Sequence, residues 1–165
     1  MVLVALGGYV ASRFFGDRRP DADDDTQGAH PITRKLFAAA NAGTMDDAAS
    51  WVAAEFHAYV NGHEAARGDV DRGPALLVEA LRHYDLNVDD SFWELYTEVH
   101  EKVDGKHERL ALRFVVSGGY DGQQREIEVA AFLTVVDGML TEMRWVTDLT
   151  TFNQMRVAAG MPALD

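Results

Sequence analysis

From residue 30 onward, hydrophobic positions first repeat at helical spacing and then alternate. Pro31 stands at a first helical position ahead of Ile32, Leu36 and Phe37, and the run stops at Asn41-Ala42-Gly43, which predicts a helix. Thr44 followed by Asp47 has the form of a capping box with Asp in place of Glu. Met45, Ala48, Trp51, Val52 and Phe56 then predict a second helix running to about Glu55. A short strand is predicted over Phe56–Asn61 and a loop over 62–73. A third helix over about Pro74–Leu86 carries Leu76, Leu77, Ala80 and Leu81 on one side.

The period then changes from 3.6 to 2. Over 92–103, Trp93, Leu95, Thr97 and Val99 alternate with Glu94, Tyr96, Glu98 and His100. Asp104-Gly105 reads as a turn, 109–117 as a strand and Gly118–Gly122 as a loop. Residues 125–136 alternate again, and Asp137-Gly138 is a two-residue hairpin signal before a last strand over 139–148. A short helix from Leu149 closes the chain. The order α-α-β-α-β-β-β-β-α predicts an α+β fold: a curved antiparallel sheet wrapped around the N-terminal helices, a cone with a central pocket.

Charge narrows the partners. The 165 residues carry 15 Lys+Arg and 27 Asp+Glu, a net −12. That argues against nucleic acid, whose phosphates need a basic face, and against an anionic membrane surface. With no cysteine there is no disulfide, thiolate nucleophile or cysteine-held metal. No H-x-x-x-H or H-E-x-x-H spacing occurs, so no metal is expected. Phosphate-binding glycine motifs and a G-x-S-x-G elbow are also missing.

The chain divides into an apolar segment (1–15), an acidic linker (16–29) holding Asp21, Asp23, Asp24 and Asp25, and a folded domain (30–165). The apolar segment is short against the ~20 residues of a bilayer span. It lacks the basic start and cleavage site of a signal peptide. It reads as a helix packed on the domain, the remnant of a membrane anchor, or an unstructured start. A cytoplasmic location is expected, with membrane association only if Met1–Phe15 is an anchor.

The element order and the stretch Asp137-Gly138-Met139-Leu140-Thr141-Glu142-Met143-Arg144-Trp145-Val146-Thr147-Asp148-Leu149, with Gln154 beyond it, resemble the NTF2-like superfamily and its SnoaL-like branch over residues 31–155. That branch shows a D-G-K-I-x-E turn and strand ending in an Asp that opens the final helix; Met139 replaces the usual Lys. Folds of this kind host isomerases, cyclases, dehydratases, epoxide hydrolases and non-catalytic modules, so the fold does not name the activity.

The resemblance to SnoaL-like cyclases and limonene-epoxide-hydrolase-like enzymes implies a proton-transfer role for Asp148. By period 2 it shares a strand face with Glu142, Arg144 and Val146. At the floor of an apolar cone its pKa would be raised by desolvation; equally, it N-caps the last helix. Tyr59-Val60-Asn61 matches the Tyr-x-Asn that positions the nucleophilic water in the epoxide hydrolases, and His57 lies on the same strand face. Alternatively, Asn61-Gly62 merely ends the strand. The Arg-x-Asp of those enzymes falls on Arg113-Phe114-Val115, so the Arg is present and the epoxide-protonating acid is not. Arg113 alternatively pairs with Asp148, Glu128 or Glu126. His57, His100, Arg144 and Trp145 are candidate substrate contacts, while His30 at the helix start is expected to be exposed. Ketosteroid isomerase chemistry is disfavoured, because Asn61 and Gly62 stand where its carboxylate base would be.

Two readings follow. One is a cofactor-independent acid–base enzyme acting on a small, apolar, oxygenated molecule of epoxide hydrolase, cyclase or isomerase type. The other is a non-catalytic ligand-binding or assembly module, its cone filled by its own side chains and its exposed sheet face forming a homodimer.

Overall fold

The computed structural model describes residues 26, 28–42, 47–65, 70–85, 89–120, 123–158 and 163. Segment 1–15, most of linker 16–29 and the start of the Thr44 capping box lie outside them. Helix α1 (Pro31–Ala42) buries Ile32, Leu36, Phe37, Ala39 and Ala40, an i, i+4, i+5, i+7, i+8 stripe. Strand β1 (Val52–Val60) follows a 3-10 turn at Ala48–Ser50. The second predicted helix is therefore corrected, since Trp51–Glu55 leads into and forms strand. Alanine-rich propensity loses to pairing, as Val52 lies opposite Leu140 and His57 opposite Glu142 in a parallel ladder.

The remaining elements are β2 (His63–Glu64), α2 (Gly73–Asp85), β3 (Asp89–Lys102), β4 (His107–Tyr120), β5 (Gln123–Val136), β6 (Met139–Thr147) and α3 (Leu149–Ala158). The predicted loop at Gly118 is also corrected: β4 runs on to Tyr120, because Gly118 and Gly119 pair with Arg125 and Gln124. The six strands form one sheet ordered β2-β1-β6-β5-β4-β3, antiparallel except for β1 beside β6. Asp137 and Gly138 both take positive φ, 49° and 76°, as a tight hairpin turn with the twist of its flanking strands requires.

Helices α1 and α2 cover one face, against β3 and β1 respectively. Trp51, Trp93, Trp145, Phe37, Phe56 and Phe114 are fully buried there. Trp93 stacks on Phe114 at 4.9 Å between centroids, with Phe37 edge-on to both and Trp145 edge-on to Trp93. These aromatic rings pack the interior of the cone at that level.

A bulge decides which side chains face outward. Leu95 lies opposite Phe114 and Thr97 opposite Arg113, so Tyr96 is the extra residue on β3. One inserted residue reverses the alternation beyond it. The expected faces of β3 are corrected accordingly: Glu98 and His100 join Leu112 and Leu110 on the helix-covered face, while Thr97 and Val99 turn outward.

Candidate functional site

The final strand delivers Asp148 to the start of α3. Its carboxylate accepts hydrogen bonds from the N–H of Thr150 (3.1 Å), the N–H of Thr151 (3.0 Å) and the Thr151 hydroxyl. This is an N-cap, satisfying amides the first helical turn leaves unpaired. The side chain is exposed. The Thr151 hydroxyl and the two amides hold its pKa below the ordinary carboxylate value. The expected desolvated carboxyl with a raised pKa is thus corrected, because hydrogen bonds to the anion outweigh a burial that the site does not provide.

Of the other candidates, His57, Tyr59, Arg113 and Arg144 lie on the outer face of the sheet. In the β1/β6 ladder His57 lies opposite Glu142 and Tyr59 opposite Arg144. His57 Nδ1 is 3.4 Å from a Glu64 carboxylate oxygen. Arg144 donates to both oxygens of Glu142 at 2.7 and 3.0 Å, and its guanidinium lies 4.4 Å from the Tyr59 ring centre. Asn61 takes φ 49°; its N–H donates to the Trp145 carbonyl (2.8 Å), and its Oδ1 accepts the Thr147 N–H (2.9 Å). It therefore ties the end of β1 to the residue before Asp148. Its Nδ2 is buried without a hydrogen-bond partner.

Arg113 lies opposite Ala130, which lies opposite Val146. It donates to Glu128 at 2.5 Å, which raises its pKa and lowers that of Glu128, and it sits over the Tyr96 ring. Of its three expected partners, Glu128 is the one it bonds. Val115 is buried, so the missing acid is replaced by packing.

Trp145 faces the interior at 2% exposure. It is a core residue, and its expected substrate contact is corrected. His100 is on the inner face, where Nε2 lies 2.6 Å from Glu108 Oε2 and the ring meets that of His30 edge-on at 5.0 Å. His30, expected to be exposed, keeps only 10% of its side chain in solvent. Its Nδ1 accepts the Ile32 N–H. This convergence of residues 30, 100 and 108 was invisible to motif spacing, as it depends on the Tyr96 bulge and on where α1 docks.

Among the described residues, grooves open on the outer face. One, about 470 Å³, is lined by Glu126, Glu128, Val146 and Asp148 among others. The second, about 360 Å³, lies between Val99, Ala111 and Phe132. Around them Val99 is 62% exposed, Phe132 51% and Val146 51%. Among the described residues no helix is long and apolar enough to cross a membrane.

No protein-family model matches the chain, and no curated protein matches it. Solved structures do match in shape. A proposed polyketide cyclase from Bacillus cereus ATCC 10987 aligns with TM-score 0.59 at 17% identity, over 78% of each chain. A proposed SnoaL-like polyketide cyclase from Jannaschia sp. CCS1 aligns with TM-score 0.56 at 16% identity, over 85% of this chain and 96% of the other. Mtr2 of Candida albicans aligns with TM-score 0.55 at 13% identity, over 76% and 96%. It is also similar in its complex with the Mex67 M domain. The chain has the NTF2-like fold, in the α+β cone form shared with SnoaL-like and ketosteroid isomerase-like structures.

Proposed function

We propose that this protein is a non-catalytic NTF2-like assembly module that pairs with a second copy of itself through the outer sheet face. One observation carries the reading. Val99, Ala111 and Phe132 are register neighbours, and Ala130 and Val146 form the adjacent row. Together they make an apolar band on the side that, among the described residues, α1 and α2 leave uncovered. Around the band stand Glu101, Arg109, Arg113, Glu128, Glu142 and Arg144. An apolar centre ringed by charge is interface anatomy. The six rim residues named are three of each sign, which permits opposite charges to meet across a twofold axis. Of the residues matched to catalytic positions, Arg113 belongs to this rim, Tyr59 lies under Arg144, Asn61 ties β1 to β6 and Asp148 caps a helix.

The groove beside Asp148 favours a second reading, acid–base chemistry on a small apolar oxygenated molecule. It is weaker because the carboxylate already holds three donors. The test compares wild type, Phe132→Glu and Asp148→Asn by light scattering and by turnover of cyclic epoxides, terpenoid epoxides and polyketide-like enols. Re-exposing a half-buried Phe in both copies costs about 2 kcal/mol, or ~30-fold in Kd, before repulsion between the new carboxylates. The expected result is a wild-type dimer, a Phe132→Glu monomer and no turnover. Turnover abolished in folded Asp148→Asn replaces this reading with the enzyme.

A further inference from the structure

On the helix-covered face, toward the other end of the strands from Asp148, two imidazoles and a carboxylate converge. His30 precedes α1, His100 is on β3, and Glu108 is near the start of β4. His100 Nε2 and His30 Nε2 lie 2.6 and 3.5 Å from Glu108 Oε2. The three ligand atoms all lie within 4.8 Å of one another. Glu98, on the His100 face, accepts the His30 N–H with Oε1 at 2.8 Å, while its Oε2 is buried without a partner.

We propose that this corner binds a divalent transition metal of the zinc class through His30 Nε2, His100 Nε2 and Glu108 Oε2. The inference is independent of the assembly reading. Two imidazoles and one carboxylate form a known zinc set that leaves a fourth position open to water, and Glu98 adds a second carboxylate to the corner. Bonds of ~2.0–2.1 Å at tetrahedral angles separate ligand atoms by about 3.3 Å. The His30–Glu108 spacing is already close to that value. The His100–Glu108 contact must open by well under the length of a bond. Nitrogen ligands select against Mg²⁺ and Ca²⁺, which prefer oxygen.

Two terms oppose binding. A neutral His30 ligated through Nε2 carries its proton on Nδ1, so it gives up the 3.2 Å hydrogen bond from the Ile32 N–H. That amide is in the first helical turn and then needs another acceptor. Lys102, whose charge acts on Glu108, repels the cation. The net −12 of the chain works the other way.

The test loads the full chain with Zn²⁺, dialyses it, measures bound metal by mass spectrometry and titrates affinity by calorimetry. Wild type, His100→Ala, Glu108→Gln and His107→Gln are compared, each checked for fold by circular dichroism. Glu108→Gln is near-isosteric and keeps the test open if His100→Ala does not fold. The expected result is one Zn²⁺ per chain, at least ~10-fold weaker binding in His100→Ala and Glu108→Gln, and unchanged binding in His107→Gln. With Co²⁺, wild type should show the visible bands of a four-coordinate site, absent in His100→Ala. Sub-stoichiometric metal, equal displacement by Ca²⁺, or full binding in both folded ligand variants, which would place the ion elsewhere such as Asp21–Asp25, overturns the proposal.

Discussion

Asn41 offers a stability prediction that can be worked through from geometry. Near the end of α1, its Oδ1 accepts the Trp93 N–H at 2.6 Å and its Nδ2 donates to the Trp93 carbonyl at 3.0 Å. Strand β3 is a sheet edge, where unpaired backbone groups are a liability. The single amide satisfies both groups of the residue whose side chain begins the aromatic core. Asn41→Ala removes two hydrogen bonds worth about 1 kcal/mol each. It also strands a donor and an acceptor that are partly buried, raising the loss to about 3 kcal/mol. For a chain of this size that lowers Tm by roughly 6–12 °C. Asn41→Asp keeps the acceptor but sets an anionic oxygen against the Trp93 carbonyl. It should be no more stable than Asn41→Ala at neutral pH and should recover once acid protonates it. Urea denaturation reads both as a fall in midpoint at constant slope, with exposed Lys35→Ala as the unaffected control. A loss below ~0.5 kcal/mol for Asn41→Ala would refute the edge-tie reasoning.

Further predictions concern backbone and charge. Gly73 has φ +79°, and an added Cβ would lie 3.0 Å from the Ala54 carbonyl oxygen, whereas Gly62 at φ +85° has open space around it. Gly73→Ala should therefore cost about 2–3 kcal/mol and Gly62→Ala about 1 kcal/mol by thermal unfolding; equal costs would deny the close approach. Asp148 has a folded-state pKa below its ordinary 3.8. Its contribution is therefore present above that value and is lost as pH falls through the lower folded one. Asn caps as well as Asp, so Asp148→Asn should change stability little at pH 7 and lose less than wild type on acidification below 3.8. A parallel pH profile for the two proteins would count against the charged cap.

The sequence and the structure part company where distant residues decide. The Asp137-Gly138 hairpin, the alternation in β4 and β5 and the helix at Pro31 were legible because local chemistry settles each one. The stretch Trp51–Phe56 was not, since its apolar spacing suits a helix and its strand pairing comes from β6. The shared face of His57 and Tyr59 followed from period 2. Which face was outward did not follow, because the helices choose it. The Tyr96 bulge moved Glu98 and His100 inward without any glycine to announce it. The His30–His100–Glu108 corner exists only once α1 lies across β3.

The most direct test of the account is the molar mass of the full wild-type chain by sedimentation equilibrium across a concentration series. Pairing through the outer sheet face predicts about 36 kDa, twice the 18.2 kDa chain, giving way to the single-chain mass on dilution. An 18.2 kDa species at every concentration up to ~100 µM would contradict it and leave the exposed Val99, Phe132 and Val146 unexplained.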